Sequence, residues 1–190
     1  MKTLYIIAGC NGAGKTTAAL TMLPEIWECR EFVNADEIAK GISPYNPESV
    51  AIEAGRVMLG RINTLLKGDD SFAIETTLST KSYFRMVEKA QDNGFFVQLL
   101  FFWLPSPLKA IKRVEERVRE GGHNVPIDVI VRRYKAGIDN LFKIYIDIVD
   151  SWMIIENYQT PRIVIADGKR NDKVNIHNVE LYKKIKDYVR

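Results

Sequence analysis

GCNGAGKT, residues 9–16, is the stretch that decides the fold of this 190-residue chain. It matches the pattern G-x-x-x-x-G-K-[ST], in which glycines allow successive backbone N–H groups to turn inward around an anion. The lysine of this pattern reaches the β- and γ-phosphates of a nucleotide, and the hydroxyl after it can bind Mg²⁺. The stretch therefore predicts a phosphate-binding loop that opens a helix, whose positive end faces the same phosphates.

The flanking residues support this interpretation. Residues 3–8 form an apolar run that predicts a buried strand, and the residues after Thr16 favour a helix that we expect to stop before Pro24. Strand, glycine loop and helix is the order that the pattern requires, which makes an ordinary glycine-containing turn the weaker alternative. The predicted ATP contacts of this segment, with Thr16 also as the Mg²⁺ ligand, are Gly9, Cys10, Asn11, Gly12, Ala13, Gly14, Lys15, Thr16 and Thr17.

Composition indicates an ordinary soluble globular protein and excludes several other classes. Hydrophobic residues make up 46% and charged residues 27%, and a net charge of +3 is too mild to suggest nucleic-acid binding. No apolar run is long enough to cross a membrane, and the N-terminus shows no signal peptide. Cys10 lies inside the loop, where a disulfide to Cys29 would interfere with the ligand. We therefore expect a reduced, cytoplasmic protein of one domain, residues 1–190, without membrane or nucleic-acid partners.

Strand and helix patterns alternate along the whole chain. This alternation predicts an α/β fold, a three-layer sandwich of the P-loop NTPase type. We expect a mostly parallel sheet of about five to six strands, helices on both faces and a helical lid at about residues 113–133. The predicted strands cover residues 3–8, 31–35, 71–76, 95–104, 153–157 and 162–166. The predicted helices cover residues 17–23, 47–67, 81–93, 107–122 and 126–148, with a last one from about residue 176.

Polar residues follow the ends of three predicted strands. In parallel sheets the ligand lies outside the carboxyl ends of the strands. Gly9, Asp36 and Thr77 each follow such an end, and Glu75 lies near one. We therefore expect these residues to converge on one crevice although they are far apart in the sequence.

Asp36 directly follows the second predicted strand, in the segment VNAD. A carboxylate at this place can accept the proton of a substrate hydroxyl while a γ-phosphoryl group is transferred. The alternative is a structural one, because aspartate is also a good N-cap for the helix predicted to follow. The phosphate loop favours the catalytic role.

Glu75 interrupts the apolar third strand, and a buried carboxylate without a partner is costly. It is therefore expected to face a metal, a water, a cation or a polar substrate. Mg²⁺ prefers oxygen ligands, often through water, so Glu75 or Asp36 can complete the shell begun by Thr16. Glu75, Thr76 and Thr77 are also candidates for substrate binding, and an ion pair with a neighbouring lysine or arginine is the alternative for Glu75.

Several arginines flank a glycine turn in the predicted lid. Arg113 and Arg117 are four residues apart on one predicted helix face, and Arg132 and Arg133 lie on the next helix. Arginines on a closing lid neutralise charge on a transferred phosphoryl group. We assign catalytic roles to Lys15, Arg113 and Arg117 and ATP contacts to Arg132 and Arg133. The alternative for each arginine is an ordinary charged helix surface, since glutamates are interleaved among them. His123, at the turn, is expected to contact phosphate or backbone.

Four segments in order resemble the zeta-toxin-like P-loop kinases. They are GCNGAGKTT, VNADEIAKGISP, FAIETTLS, and RVEERVREGGHNVP followed by IVRRY, and the resemblance spans residues 4 to about 166. It implies transfer of a phosphoryl group from ATP to a hydroxyl, which the best-known members perform on UDP-N-acetylglucosamine. It also implies that Asp36 is the general base. Glu75 and Thr77 correspond to the glutamate and threonine that follow the third strand in this family. Among the lid arginines Arg113 is the clearest match, with Arg117, Arg132 and Arg133 as further candidates.

The chain departs from these toxins where they bind the acceptor. The arginine that follows their third-strand motif has no equivalent before Arg85, and His123 lies near the place of a second lid arginine. The sequence therefore predicts an ATP- and Mg²⁺-dependent kinase for a small hydroxyl-bearing molecule, a sugar nucleotide among the candidates. An antitoxin-like partner is compatible with the resemblance. Two alternatives stay open, an ATP-driven switch without such an acceptor and a polynucleotide-end kinase.

Overall fold

Strands and helices alternate in the computed structural model, which describes residues 1–26, 28–122 and 124–189. The strands are β1 (Thr3–Ala8), β2 (Glu31–Val33), β3 (Phe72–Thr76), β4 (Phe96–Trp103), β5 (Ser151–Glu156), β6 (Ile163–Lys169) and β7 (Asn175–Ile176). The helices are α1 (Lys15–Ile26), α2 (Ala35–Ile42), α3 (Ala51–Leu65), α4 (Phe84–Asp92), α5 (Pro107–Arg119), α6 (Ile127–Asn140), α7 (Ile146–Ile148) and α8 (Val179–Lys186). Within these described ranges, none of the helices combines the length and apolar character needed to span a membrane.

The described strands form one seven-stranded sheet in the order β2-β3-β1-β4-β5-β6-β7. The first five strands are parallel, whereas β6 pairs antiparallel with β5 and β7 antiparallel with β6. The predicted α/β fold with a mostly parallel sheet and helices on both sides is confirmed. The predicted number of strands was too low, because β7 has only two residues and too little hydrophobic pattern to be recognised.

The most apolar segment forms the centre of the sheet, as its sequence predicts. β4 lies between β1 and β5, and its side chains Leu99, Phe101 and Phe102 are buried in the core. Every residue of β1 is buried as well. The aromatic residues of this region therefore pack in the interior and do not form an exposed surface for stacking bases. Their burial keeps the strand that carries the glycine loop rigid.

Helix α1 continues through Pro24, so the predicted stop before this residue was wrong. Proline lacks the N–H that would bond to the carbonyl four residues earlier, which is that of the exposed Leu20. The lost bond falls in the last turn of the helix. Burial of Ala19 and Leu23 against the core holds that turn in place despite the proline.

Other boundaries differ from the prediction by a few residues. The helix predicted over 47–67 starts with a 3₁₀ turn at Pro47–Val50, and the helix predicted over 126–148 is interrupted by a π-helical turn at Leu141–Tyr145. The second strand ends at Val33, two residues early, because Asn34 caps helix α2. Capping residues end a strand even where the next side chain is apolar.

Gly9 turns the chain from β1 into the loop with a φ of 140°. A Cβ atom there would lie 2.2 Å from the carbonyl oxygen of Phe102, which is backbone and cannot move aside. We expect Gly9→Ala to lower the free energy of unfolding by roughly 3 kcal/mol, measured by urea denaturation. Gly60→Ala is the control, because a Cβ atom at Gly60 would meet none of the described atoms within 4 Å and alanine favours helix α3. Equal losses in the two variants would contradict this account.

Candidate active site

The carboxyl ends of the parallel strands bring the predicted polar residues to one edge of the sheet. Gly9 follows β1, Asp36 lies just after β2, Glu75 is near the end of β3, and Asn157 follows β5. Three of these four were expected from the order of strands. Asn157 was not, although its place after a parallel strand is the signal that could have found it.

The loop has the backbone shape that anion binding requires. Gly12 and Gly14 adopt φ values of 78° and 75°, which glycine alone reaches without strain. The side-chain amide of Asn157 donates to the carbonyl of Ala13 at 2.6 Å. A Cβ on Gly14 would lie 2.6 Å from the same amide nitrogen. Asn157 therefore fixes the loop from the side and leaves no room for a larger residue at position 14.

Lys15 is buried within the loop, with 7% of its surface exposed. Its Nζ donates to the carbonyl of Cys10 at 3.1 Å and lies 3.4 Å from Oε1 of Glu75. These two contacts hold the ammonium group beside the loop. The ion pair that the sequence left open for Glu75 is thus formed, with Lys15 as the partner.

The two cysteines are both buried and free. Burial raises the pKa of the Cys10 thiol to about 11, so the thiol stays protonated near neutral pH. Its side chain lies in the core, beneath the loop. Any contact of Cys10 with a ligand would therefore come from its backbone.

The Glu75 carboxylate contacts several polar side chains beneath the loop. Its Oε2 accepts from Oγ1 of Thr16 at 2.7 Å and from Nδ2 of Asn34 at 2.8 Å. Only 9% of its side chain is exposed, so these donors and Lys15 stabilise a buried carboxylate. Hydroxyl and carboxylate oxygens side by side are the ligands that Mg²⁺ prefers. Thr16 and Glu75 therefore suit a magnesium ion, either directly or through water.

Asp36 does not cap helix α2, so that alternative was wrong. The cap is Asn34, whose side-chain oxygen accepts from the backbone N–H of Asp36 at 2.8 Å. Asp36 is the second residue of the helix, and its side chain is exposed. The Asp36 carboxylate is therefore not needed as the cap of this helix.

Two cavities meet at Asp36. The first, about 450 Å³ in volume, is here called the phosphate cavity and contains the loop residues together with Glu75. The second, about 310 Å³, is here called the side cavity and lies between helices α2 and α6. Asn11, Asp36 and Lys40 line both. A molecule in the side cavity would therefore lie next to the phosphate cavity, with Asp36 at the boundary.

A third cavity of about 540 Å³ adjoins the phosphate cavity and is here called the outer cavity. Gly14, Thr17 and Arg113 line both of them. The outer cavity is completed by residues after β5, among them Asn157 and Arg162, and Arg162 Nε donates to the Asn157 side chain at 2.7 Å. Its position leaves room for a group joined to phosphates in the loop.

The four candidate arginines divide between the cavities. Arg113 and Arg117 line the phosphate cavity, and Arg113 lies over the loop, 3.5 Å from the carbonyl of Gly12. Arg132 and Arg133 line the side cavity instead. Arg133 contacts the loop through the side chain of Asn11, whose Oδ1 accepts from Arg133 at 3.3 Å. His123, expected to contact phosphate or backbone, lies outside the described residues.

Thr76 and Thr77 have local partners in the turn after β3. The Thr76 hydroxyl accepts from the N–H of Leu78 at 3.0 Å, and the Thr77 hydroxyl lies 2.8 Å from that of Ser79. Leu78 itself has a φ of 57°, so these bonds hold a tight turn. Neither threonine is among the described residues that line the phosphate or side cavity. The structure therefore does not place either threonine side chain in these two cavities.

The sequence model of the zeta toxin family matches residues 1–181. The chain belongs to the zeta toxin family. The resemblance of its four motifs is thus confirmed, and membership supports a phosphotransferase of the P-loop kinase type. An uncharacterized protein of Haemophilus influenzae is 32% identical over 126 residues, which is 66% of this chain and 88% of that protein.

Solved structures share the fold of this zeta toxin family chain. The AvrRxo1-ORF1:-ORF2 complex with ATP matches with a TM-score of 0.79 at 18% identity, covering 97% of this chain and 63% of that one. This chain thus spans just under two thirds of that protein. The PezAT toxin–antitoxin system of Streptococcus pneumoniae has a TM-score of 0.67 at 19% identity, covering 100% and 78%. A sugar kinase from Janibacter sp. HTCC2649 has a TM-score of 0.54 at 19% identity, covering 85% and 88%.

Proposed function

We propose that this zeta toxin family protein transfers the γ-phosphoryl group of ATP to a hydroxyl of a small molecule bound in the side cavity. One observation carries the proposal: Asp36 lies on the wall that the phosphate and side cavities share. A carboxylate between a phosphate site and a second pocket is where a general base for phosphoryl transfer has to be.

ATP would bind with its phosphates in the loop and its nucleoside in the outer cavity. The backbone of residues 9–16 would surround the β- and γ-phosphates, and Lys15, already held beside the loop, would neutralise them. Arg113, on α5, lines both cavities and would contact the phosphates from that helix. The similar complex with ATP supports this choice of donor.

Thr16 and Glu75 would hold Mg²⁺, consistent with their oxygen atoms 2.7 Å apart under the loop. When bound, the metal would neutralise charge on the β- and γ-phosphates. Glu75 is therefore assigned to the metal side of the site rather than to the acceptor. Thr76 and Thr77 would act indirectly, by holding the turn that follows the Glu75 strand.

The transfer needs a proton acceptor and a stabiliser of charge. Asp36 would take the proton of the acceptor hydroxyl as its oxygen forms a bond to the γ-phosphorus. The bond from that phosphorus to the bridging oxygen breaks, and ADP leaves with the electron pair. Arg113 and Arg117, which lie on α5 and line the phosphate cavity, would stabilise the charge on the moving group.

The side cavity sets the chemistry of the acceptor. Lys40, Arg132 and Arg133 supply positive charge, which exceeds the negative charge of Asp36 and Glu48. Apolar surface is also present in the lining. This lining suits a molecule that carries a hydroxyl for Asp36 and an anionic group for the arginines. Sugar nucleotides have both features and are the first compounds to test. Arg132 and Arg133 are thus assigned to the acceptor, which revises their expected contact with ATP.

The decisive experiment supplies ATP labelled at the γ-phosphate together with a metabolite pool that includes sugar nucleotides. Label in a small hydroxyl-bearing molecule would support the proposal, and mass spectrometry would identify that molecule. Release of labelled phosphate alone would favour an ATP-driven switch. Label at the end of an added oligonucleotide would favour a polynucleotide-end kinase.

A protein partner and a cytoplasmic location belong to the same proposal. The PezAT structure is of a toxin–antitoxin system, and AvrRxo1-ORF1 is described with AvrRxo1-ORF2. Free, buried thiols at Cys10 and Cys29 are consistent with a reducing compartment. Purification of the tagged protein from its host, followed by assay with and without the copurifying protein, tests whether a partner inhibits transfer.

A further inference from the structure

Asn34 connects the carboxylate of Glu75 to the backbone of Asp36. It follows β2, and only 6% of its surface is exposed. Its side-chain oxygen accepts from the backbone N–H of Asp36 at 2.8 Å. Its side-chain nitrogen donates to Oε2 of Glu75 at 2.8 Å. One buried amide therefore touches both the helix turn that carries Asp36 and the carboxylate beside Thr16.

The chemistry of the two bonds calls for an amide. The bond to Asp36 needs an acceptor, whereas the bond to Glu75 needs a donor. The opposite orientation of the amide would place its NH₂ group against an N–H and its oxygen against a carboxylate. Aspartate in place of Asn34 would keep the cap but could not donate when ionised. Serine would also keep the cap, but its shorter side chain could not bond to both partners.

We propose that Asn34 is a positioning residue that sets the metal-side carboxylate of Glu75 and the base Asp36 relative to each other. The inference rests on the proposed function for the roles of Glu75 and Asp36. Oε2 of Glu75 is shared between Asn34 and Thr16, so the amide fixes the orientation of the carboxylate toward the threonine. Partners that orient a metal-binding carboxylate affect metal affinity strongly.

Two variants test the two hydrogen bonds of Asn34 separately. Asn34→Ser keeps an N-cap for α2 and removes the bond to Glu75, whereas Asn34→Ala removes both. Asn178→Ala is the matched control, because Asn178 caps α8 through its side-chain oxygen, which accepts from Leu181 N at 3.0 Å. Each protein is assayed by calorimetry for ATP binding against Mg²⁺ concentration, and for phosphate release from ATP with water as the acceptor.

We expect the Mg²⁺ concentration that half-saturates ATP binding to rise about tenfold in Asn34→Ser and Asn34→Ala. At saturating Mg²⁺, phosphate release should be faster in Asn34→Ser than in Asn34→Ala, because serine keeps the cap of α2. In Asn34→Ala it should fall about tenfold, because the turn that places Asp36 has lost its cap. Asn178→Ala should change neither quantity.

An unchanged Mg²⁺ requirement in a folded Asn34→Ser protein would overturn the inference, as would an equal shift in Asn178→Ala. Equal phosphate release by the serine and alanine variants would show that the Asn34 cap does not position Asp36. If the Asn34→Ala protein does not fold, the Mg²⁺ requirement of Asn34→Ser alone tests the inference. A parent protein that transfers phosphate to no acceptor would contradict the proposed function, while the Mg²⁺ dependence of ATP binding would still decide the role of Asn34.

Discussion

Lys15→Ala is expected to lower phosphoryl transfer by about a thousandfold. Lys15 is the buried ammonium of the loop, held by the Cys10 carbonyl and Glu75 next to the phosphate cavity. Its removal takes away the positive charge that would meet the β- and γ-phosphates. It also leaves the Glu75 carboxylate near those phosphates without its cation, so ATP should bind more weakly as well.

The measurements are transfer of labelled γ-phosphate and calorimetric binding of ATP. Lys112→Ala is the control, since Lys112 lies on α5 with 66% of its side chain exposed and is 3.9 Å from Glu116. A pair so exposed contributes little, and its loss should change transfer less than twofold. More than a tenth of the parent rate in a folded Lys15→Ala protein would contradict the assigned role.

Asp36→Asn is expected to preserve ATP binding and to lower transfer by about 10³-fold, within the range for loss of a general base. The substitution keeps the size of the side chain and removes its ability to take a proton. The N-cap bond of α2 involves the backbone N–H of Asp36 and should persist. Stability should therefore change by only about 0.5 kcal/mol, from the lost charge at the helix start.

Glu180→Gln provides the matched control for this substitution. Glu180 is the second residue of α8, which also begins after an asparagine cap, so it has the same helix position as Asp36. Both variants lose one negative charge near a helix N-terminus, but only Asp36 lies between the two cavities. Near-normal acceptor phosphorylation by Asp36→Asn would rule out Asp36 as the base.

The backbone shape of the loop could be predicted because its signal is contiguous. Three glycines, a lysine and a threonine within eight residues predict both this shape and a phosphate ligand. Asp36 and Glu75 could be located because both come near strand ends, and parallel strands end at one edge. These inferences need only the order of the elements along the chain.

Contacts between distant segments could not be predicted. Asn157 bonds to Ala13 across 144 positions, and Asn34 bonds to Glu75 across 41. No local pattern links such pairs, because each depends on how the strands are ordered in the sheet. The distribution of the arginines between the two cavities could not be predicted for the same reason. Whether Arg133 meets the phosphate or the side cavity depends on the packing of α5 against α6, which helix spacing does not specify.

The short outer strands of the sheet affect how the protein behaves at high concentration. β2 has three residues at one edge and β7 has two at the other. Exposed edges of a sheet recruit strands from other chains, and short edge strands offer few unpaired backbone groups for this. The very apolar β4, which would be prone to fibril formation if it lay at an edge, is enclosed by neighbours on both sides. Folded molecules should therefore resist strand-mediated aggregation, and that protection is lost only when the sheet opens.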